Sequence, residues 1–246
     1  MVSSSLHNES QHHGLSAQAP VIADAGVGLL DRPDAAVDGW LNRFEAIYRD
    51  SAGDPGKIPW AHRQPCPALL TWLDAEAPSL IRPGARVAVV GCGLGEDACA
   101  LADRGYEVVG FDACPSAIQW ATKMHPGRGV TFVEANLFDL PTRLQRRFDL
   151  VVEVHTLQAL PPVFRHDLAA GMAALLNGKG YLLAIARGRG PETPLNENDG
   201  PPFPLTAHEL LDVMAGAGLD PVRAIDDFQD DNVPPVRRLR GAFHRA

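Results

Sequence analysis

Two rhythms of apolar positions alternate along this chain. Val87–Val90, Glu107–Phe111, Val130–Glu134, Asp149–Val154 and Tyr181–Ala186 are short apolar runs, too brief for helices, and they read as buried strands. Between them lie helical segments, over 68–77, Glu96–Arg104, Ser116–His125 and Pro161 to about Asn177. Gly105 and the triplet Gly178-Lys179-Gly180 read as helix stops, and Pro115 and Pro161-Pro162 as helix starts. Upstream, Trp40, Phe44, Ile47 and Tyr48 stand at i, i+4, i+7 and i+8, which makes Asp38–Asp50 an amphipathic helix. Downstream, Thr206 and Glu209 form a capping box for a helix over 207–216. Pro221–Phe228 and Val236–His244 then read as an antiparallel hairpin at the sheet edge.

Strands alternating with helices predict an α/β fold, a doubly wound and mainly parallel sheet. Counting the hairpin gives seven strands, with the N-terminal helix as a cover. The 246 residues suit a single domain over 36–246. Residues 1–35, rich in Ser, His, Gln, Ala and Gly without a sustained period, read as a disordered arm. Residues 188–204 form a Gly/Pro-rich loop of a length that goes with a lid or with disorder.

Charge and cysteine usage narrow the partners. The formal net charge is −8 and basic residues cluster only near the end, in the alternating Arg237, Arg238 and Arg240. These read as a charged edge strand, which argues against nucleic acid as the main partner. Cys66, Cys92, Cys99 and Cys114 form no CxxC pair and no metal-ligand spacing, and they read as reduced thiols with no metal. No apolar run approaches the roughly 20 residues of a membrane helix, and no signal-peptide core is evident. The expectation is a cytoplasmic protein, monomer or homodimer, acting on a small molecule.

Candidate chemistry gathers in the first βαβ unit. The Val87–Val90 strand runs into Gly91-Cys92-Gly93-Leu94-Gly95, and the second strand closes on Asp112. Glycines allow close approach of a ligand, the helix start offers free N–H groups, and a carboxylate about 20 residues on suits a ribose diol. A dinucleotide turn would carry a third glycine where this chain has Glu96. An acid there repels a pyrophosphate and suits a phosphate-free cofactor with a cationic amino-acid tail, of which S-adenosyl-L-methionine is one. Ligands lie beyond the carboxyl ends of such strands, where Gly91–Gly95, Asp112, Asn136, Glu153–His155 and Arg187 fall. Trp60, behind Ile58-Pro59 on a Gly/Pro-broken loop, is either a core plug or a lid aromatic. A Rossmann-type oxidoreductase or epimerase and a non-catalytic cofactor-binding module stay open as alternatives.

VVGCGLGED, the Asp112 tip, EANLFDLP and the closing hairpin resemble a class I S-adenosylmethionine-dependent methyltransferase. The Y-x(n)-GKIPW-x(n)-P-x-L segment, the P-G-x-x-V-x-V-V-G-C-G approach and GPPFPLT resemble its thiopurine/thiol/halide methyltransferase-like branch, over roughly 38–244. The resemblance implies a Rossmann-like methyltransferase fold. It also implies that Gly91, Cys92 and Gly93 hold the methionine part, that Asp112 binds the ribose hydroxyls, and that Ala113, Asn136 and Leu137 meet the adenine. Glu153–His155 would face the methyl group and Trp60 would fold over the site, leaving S-adenosyl-L-homocysteine as product. A thiolate or halide acceptor needs no general base, whereas a hydroxyl or amine does, and His155 is the candidate base, with Glu153 and Arg187 beside it. Thiopurine enzymes carry an arginine after the acid of the fourth strand, where this chain has Val154, which counts against a thiopurine substrate.

Overall fold

Helix α1, Pro33–Asp50, is the first element of the computed structural model, which describes residues 33–196 and 200–245. The arm expected over 1–35 lies outside the described residues up to 32. Pro67 starts α2 (Pro67–Ala75), and Pro78 lies in the single turn of α3 (Ala77–Leu80). The chain then enters β1 (Arg86–Val90), α4 (Glu96–Ala102), β2 (Glu107–Asp112), α5 (Pro115–Met124), β3 (Val130–Glu134) and β4 (Phe148–Val154). A short 3₁₀ turn leads into α6 (Arg165–Leu175) and β5 (Leu176–Arg187). The capping box closes as expected: Thr206 accepts from the Glu209 amide at 3.1 Å, opening α7 (Ala207–Gly216). Last come β6 (Leu219–Pro221), β7 (Asp226–Gln229) and β8 (Arg237–Arg245).

The sheet runs in the order β3-β2-β1-β4-β5-β8-β6, with β7 also on β8. Strands β1 to β5 pair in parallel, and β8 joins β5 antiparallel. Alternate residues divide the core as the pleat requires. Val87, Val89, Leu150, Val152, Leu183 and Ile185 face the layer of Leu69, Trp72 and Leu101. Ala88, Val90, Val151, Leu182 and Ala184 face the layer of Leu168, Met172 and Leu210. Trp72, Phe148 and Phe243 are at most 1% exposed, and burying a side chain of this kind contributes about 1.5–3 kcal/mol.

Helix α1 begins five residues earlier than the expected Asp38, and two differences in the strands each have a reason at a glycine. The sheet has eight strands because the run expected over 221–228 breaks in two. Ile225 folds over the bare Cα of Gly241, where an added Cβ would stand 2.5 Å from Ile225 Cδ1. Both pieces still pair with β8, so the antiparallel edge keeps its place. The second difference is that β5 begins at Leu176 rather than Tyr181. Gly178 and Gly180 sit in an irregular stretch of the β4–β5 ladder, not at a helix stop, and a Cβ on Gly180 would meet the Phe148 carbonyl oxygen at 2.8 Å.

Gly171 brings the middle of α6 against the backbone after β3. A Cβ there would lie 2.7 Å from the Leu137 carbonyl oxygen. Alanine ordinarily favours a helix over glycine by about 1 kcal/mol. At this position the clash reverses the sign, and Gly171→Ala is expected to destabilise by about 1–3 kcal/mol, read as a lower urea midpoint.

Candidate functional site

The C-terminal ends of β1, β2, β4 and β5 open into one cleft of about 900 Å³. Gly91, Cys92, Gly93, Asp112 and Ala113 line it from the first crossover, and Asn136 and Leu137 from the end of β3. Trp60, His155 and Arg187 complete the residues singled out in the sequence that reach it. Glu153 does not: its residue is 0% exposed and it is absent from the lining.

The glycine turn is held by a carboxylate. Asp112 Oδ2 accepts the Gly93 amide at 3.0 Å and Oδ1 accepts the Cys114 amide at 2.9 Å. The Ala113 amide and the Cys114 thiol also approach this carboxylate, and Asp112 lines the cleft. Burial raises the Asp112 pKa while the N–H donors pull it back. The three glycines serve different ends. Gly91 has φ +57, and a Cβ would strike Thr156 Oγ1 at 2.7 Å; Gly95 has φ +94, and a Cβ would strike the Phe132 ring at 2.6 Å. These two are demanded by packing within the protein. Gly93, at φ +52, faces Tyr48, whose hydroxyl would lie 3.2 Å from an added Cβ, so its surroundings belong to the cleft.

Beside this turn α4 supplies two acids. Glu96 lines the cleft and its Oε1 is buried without a partner. Burial pushes the Asp97 carboxyl up to about 6, although it accepts the Cys66 amide at 2.7 Å. Burial, followed by the charge of Asp112, also raises the Cys92 thiol well above its ordinary value, so it stays protonated and is no nucleophile.

Over the mouth lies α1. Glu45 accepts the Ser116 amide at 3.1 Å and its hydroxyl at 2.5 Å, clamping α1 onto the start of α5. Trp60 is half-buried, edge-on to Phe44 and Tyr48, and its Nε1 donates to the Tyr48 oxygen at 2.8 Å. It is therefore part of an aromatic cluster and part of the cleft wall at once. The far wall comes from the 188–204 loop, expected as a lid or disorder. Its described end is pinned: the Phe203 amide donates to Gln158 O at 2.7 Å, and buried Arg165 donates to Phe203 O at 2.8 Å, setting Pro201 and Pro202 against the cleft.

At the tip of β4 the structure separates the three residues grouped by the sequence. Glu153 Oε2 accepts the amides of Thr156 and Leu157 at 2.8 and 3.1 Å, capping the turn from beneath. Burial pushes its carboxyl up to about 8. His155 sits at φ +68, and burial foremost, then the charges of Arg238 and His62, lower it to about 3. Arg238 Nη1 stands 3.3 Å from His155 Nε2, and Arg238 Nε donates to Asp230 at 2.7 Å. Sequence reasoning missed Tyr48, His62, Gln158, Thr156, Asp230 and Arg238 as cleft residues. Tyr48 appeared only as a helix position and Arg238 only as an edge charge, since nothing local shows that β8 lies beside β5.

The cleft fits a cofactor built as a nucleoside with a cationic amino-acid tail: a diol acceptor at Asp112, a side-chain-free position at Gly93, and an unpartnered buried acid at Glu96. That arrangement on this sheet defines a class I S-adenosylmethionine-dependent methyltransferase. The family model for thiopurine S-methyltransferase matches residues 36–242, and the chain belongs to that family. It is 27% identical over 194 residues to probable thiol methyltransferase 2 of Arabidopsis thaliana, covering 77% of this chain and 76% of the relative. Over 147 residues it is 29% identical to the 2-heptyl-1-hydroxyquinolin-4(1H)-one methyltransferase of Mycobacteroides abscessus, covering 58% and 63%. Its fold matches the Burkholderia thailandensis 1,6-didemethyltoxoflavin-N1-methyltransferase, solved with S-adenosylhomocysteine, at a TM-score of 0.68 and 22% identity over 95% of this chain and 98% of that one. The enzyme is thus an S-adenosylmethionine-dependent methyltransferase acting on a small molecule, in the thiol methyltransferase-like branch, and the oxidoreductase reading is not favoured. No helix among the described residues is long and apolar enough to cross a membrane.

Two outcomes test this geometry. Asp112→Asn removes the charge while keeping the shape, and is expected to weaken S-adenosylhomocysteine at least about 10-fold by calorimetry, as charge-assisted hydrogen bonds are worth about 1.5–3 kcal/mol. For Glu153, the folded carboxyl holds its proton up to about 8, against 4.5 for the ordinary group. The folded state binds more protons in that window, so stability falls as pH rises through it. Asp97 acts in the same direction below about 6. Glu153→Gln is expected to flatten the part of the urea-midpoint profile between about pH 6 and 8.

Proposed function

We propose that this enzyme methylates a soft nucleophile, foremost a thiol, in the cytoplasm, as a monomer or homodimer with no nucleic-acid partner. The observation that carries the reading is the division of one cleft into an acidic cofactor half, at Glu96, Asp97 and Asp112, and a half walled by His155, Arg187, Phe228 and Arg238. The names of the relatives, thiol and thiocyanate methyltransferases among them, support a sulfur acceptor. Within the cofactor half, Asp112 would take the ribose hydroxyls, and Gly91, Cys92 and Gly93 would border the methionine part. Glu96 would pair with its ammonium, while Ala113, Asn136 and Leu137 would border the adenine. Asn136 Oδ1 already accepts the Phe138 amide at 3.0 Å, which leaves its NH₂ free to donate.

When bound, S-adenosylmethionine supplies an electrophilic methyl group on a good leaving group. The protein's tasks are then alignment of the acceptor and exclusion of water. Trp60, Phe44 and Tyr48 close the cofactor half, and Pro201 and Pro202 narrow the acceptor half. Glu153 works from below: by holding the Thr156 and Leu157 amides it fixes the turn that carries His155.

The test is transfer of labelled methyl from S-adenosylmethionine to a panel of thiols, halides, metalloid oxyanions, phenols, DNA and RNA. Transfer to thiols, lost by at least about 10-fold in kcat/KM in Asp112→Asn, is the expected result. Label appearing on nucleic acid, or on no thiol while another class accepts it, would refute the reading.

A further inference from the structure

One wall of the acceptor half is built from residues that cannot hold themselves in place. Pro201 and Pro202 line the cleft, and neither they nor Pro204 has an N–H, so the donor bonds that place this stretch come from elsewhere. Flanking amides supply two: Phe203 donates to the Gln158 carbonyl at 2.7 Å, and Leu205 to the Arg187 carbonyl at 3.1 Å. The Phe203 ring, 2% exposed, folds over the bare Cα of Gly200, where an added Cβ would run into it. The same ring stands edge-on to Trp40 of α1, with 5.9 Å between centroids. The remaining hold comes from Arg165 of α6, whose Nη2 donates to the Phe203 carbonyl at 2.8 Å and reaches the Pro204 carbonyl at 3.4 Å.

The energetics of Arg165 point to a geometric role. The residue is 3% exposed, its Nε is buried with no partner, and Glu209 Oε2 stands 3.7 Å from its Nη1, beyond hydrogen-bonding distance. A buried pair of this kind is a weak source of stability, because desolvation offsets the attraction. Glu209 is in any case engaged by Arg189 and by the Thr206 amide at 2.8 Å, so the capping box of α7 does not depend on Arg165. What the guanidinium does supply is one nitrogen held between two successive carbonyls, which a rigid planar group does better than a flexible ammonium. Leu168, one turn along the same face of α6, lines the cleft. A single helix face thus presents a side chain to the acceptor and sets the place of the proline wall.

We propose that Arg165 is a positioning residue for the acceptor. By holding the Phe203 and Pro204 carbonyls it sets how far Pro201 and Pro202 stand into the cleft, and so the width of acceptor that fits. This rests on the methyltransferase reading and adds to it a determinant of selectivity that does not itself line the cleft. Freed from Arg165, the wall moves on its flanking bonds: a narrow acceptor loses its fit and a wide one gains room.

The experiment compares the full chain with Arg165→Met, which removes the donors but keeps an unbranched side chain, and with Arg165→Lys, which keeps the charge without the planar group. Each protein is loaded with S-adenosylhomocysteine, and calorimetry is expected to show the same affinity in all three. Absence of binding in the wild type would strike the cofactor reading; loss of binding only in the variants overturns the local role of Arg165. Hydrogen exchange of the loaded proteins is expected to quicken at the Phe203 and Leu205 amides at least about 10-fold in Arg165→Met, and by less in Arg165→Lys, with β1 to β5 unchanged. Exchange that quickens across the whole sheet alike, or not at all, overturns the proposal. Selectivity is read as the ratio of kcat/KM for thiophenol to that for 2-naphthalenethiol, two flat thiols that differ by one fused ring. The ratio is expected to fall at least about 5-fold in Arg165→Met and by less in Arg165→Lys, through KM rather than kcat. An unchanged ratio, or a loss shared equally by both thiols, overturns the proposal. Arg165→Lys carries both comparisons alone if Arg165→Met does not fold. If the wild type methylates neither thiol, the sulfur reading fails, and the exchange pattern still decides the role of Arg165.

Discussion

The Asp112 carboxylate accepts one amide from the turn after β1 and another from the turn after β2, and the cofactor end of the molecule depends on this. With the Cys92 amide's bond to the Phe111 carbonyl, it ties the glycine turn to the start of α5, and α5 is what α1 clamps onto through Glu45 and Ser116. The cover over the cleft is thus referenced, two contacts away, to a side chain that lines the cleft itself. Burying a carboxylate is costly, and backbone donors at Gly93, Ala113 and Cys114 offset part of that cost. The ligand hydroxyls would complete the compensation, which makes binding and local order one event.

Charge is balanced differently at the two ends of the cleft. Glu96, Asp97 and Asp112 line it where β1 and β2 end, whereas where β5 and β8 meet Arg238 and Arg240 are each met by a carboxylate, Asp230 and Asp226. A cofactor with a cationic tail would be drawn to the first end, in the same sense as the net charge of −8.

Much of this was legible in the sequence because it is local. The βαβ unit, its glycine turn and Asp112 lie within 27 residues, Arg86 to Asp112, and their roles follow from periodicity and from what glycine permits. The capping box at Thr206 was legible for the same reason. What escaped was set by contacts between distant segments. Glu153 occupies the expected tip of β4, but the pleat turns it inward to hold the Thr156 and Leu157 amides, and a two-residue period cannot say which face a following turn will need to cap. His155 stands at the tip where the strand pattern put it, but its 3.3 Å contact with Arg238, 83 residues on, is one that no local pattern shows. Gly180 and Gly241 looked like turn or strand glycines, whereas each makes room for an atom from another strand or loop.

Strand β8 has a further consequence, for synthesis. It follows every other described strand in the chain, yet it is interior to the sheet, bonded to β5 on one side and to both β6 and β7 on the other. A chain emerging from the ribosome must hold β5 with one edge open until residues 237–245 appear. During that interval the exposed edge of β5, flanked by Leu182, Ala184 and Ala186, is a template for pairing with another nascent chain. Arg238 and Arg240 arrive on that same late strand, so the part of the cleft at the ends of β1 and β2 can form before the wall that β8 supplies exists.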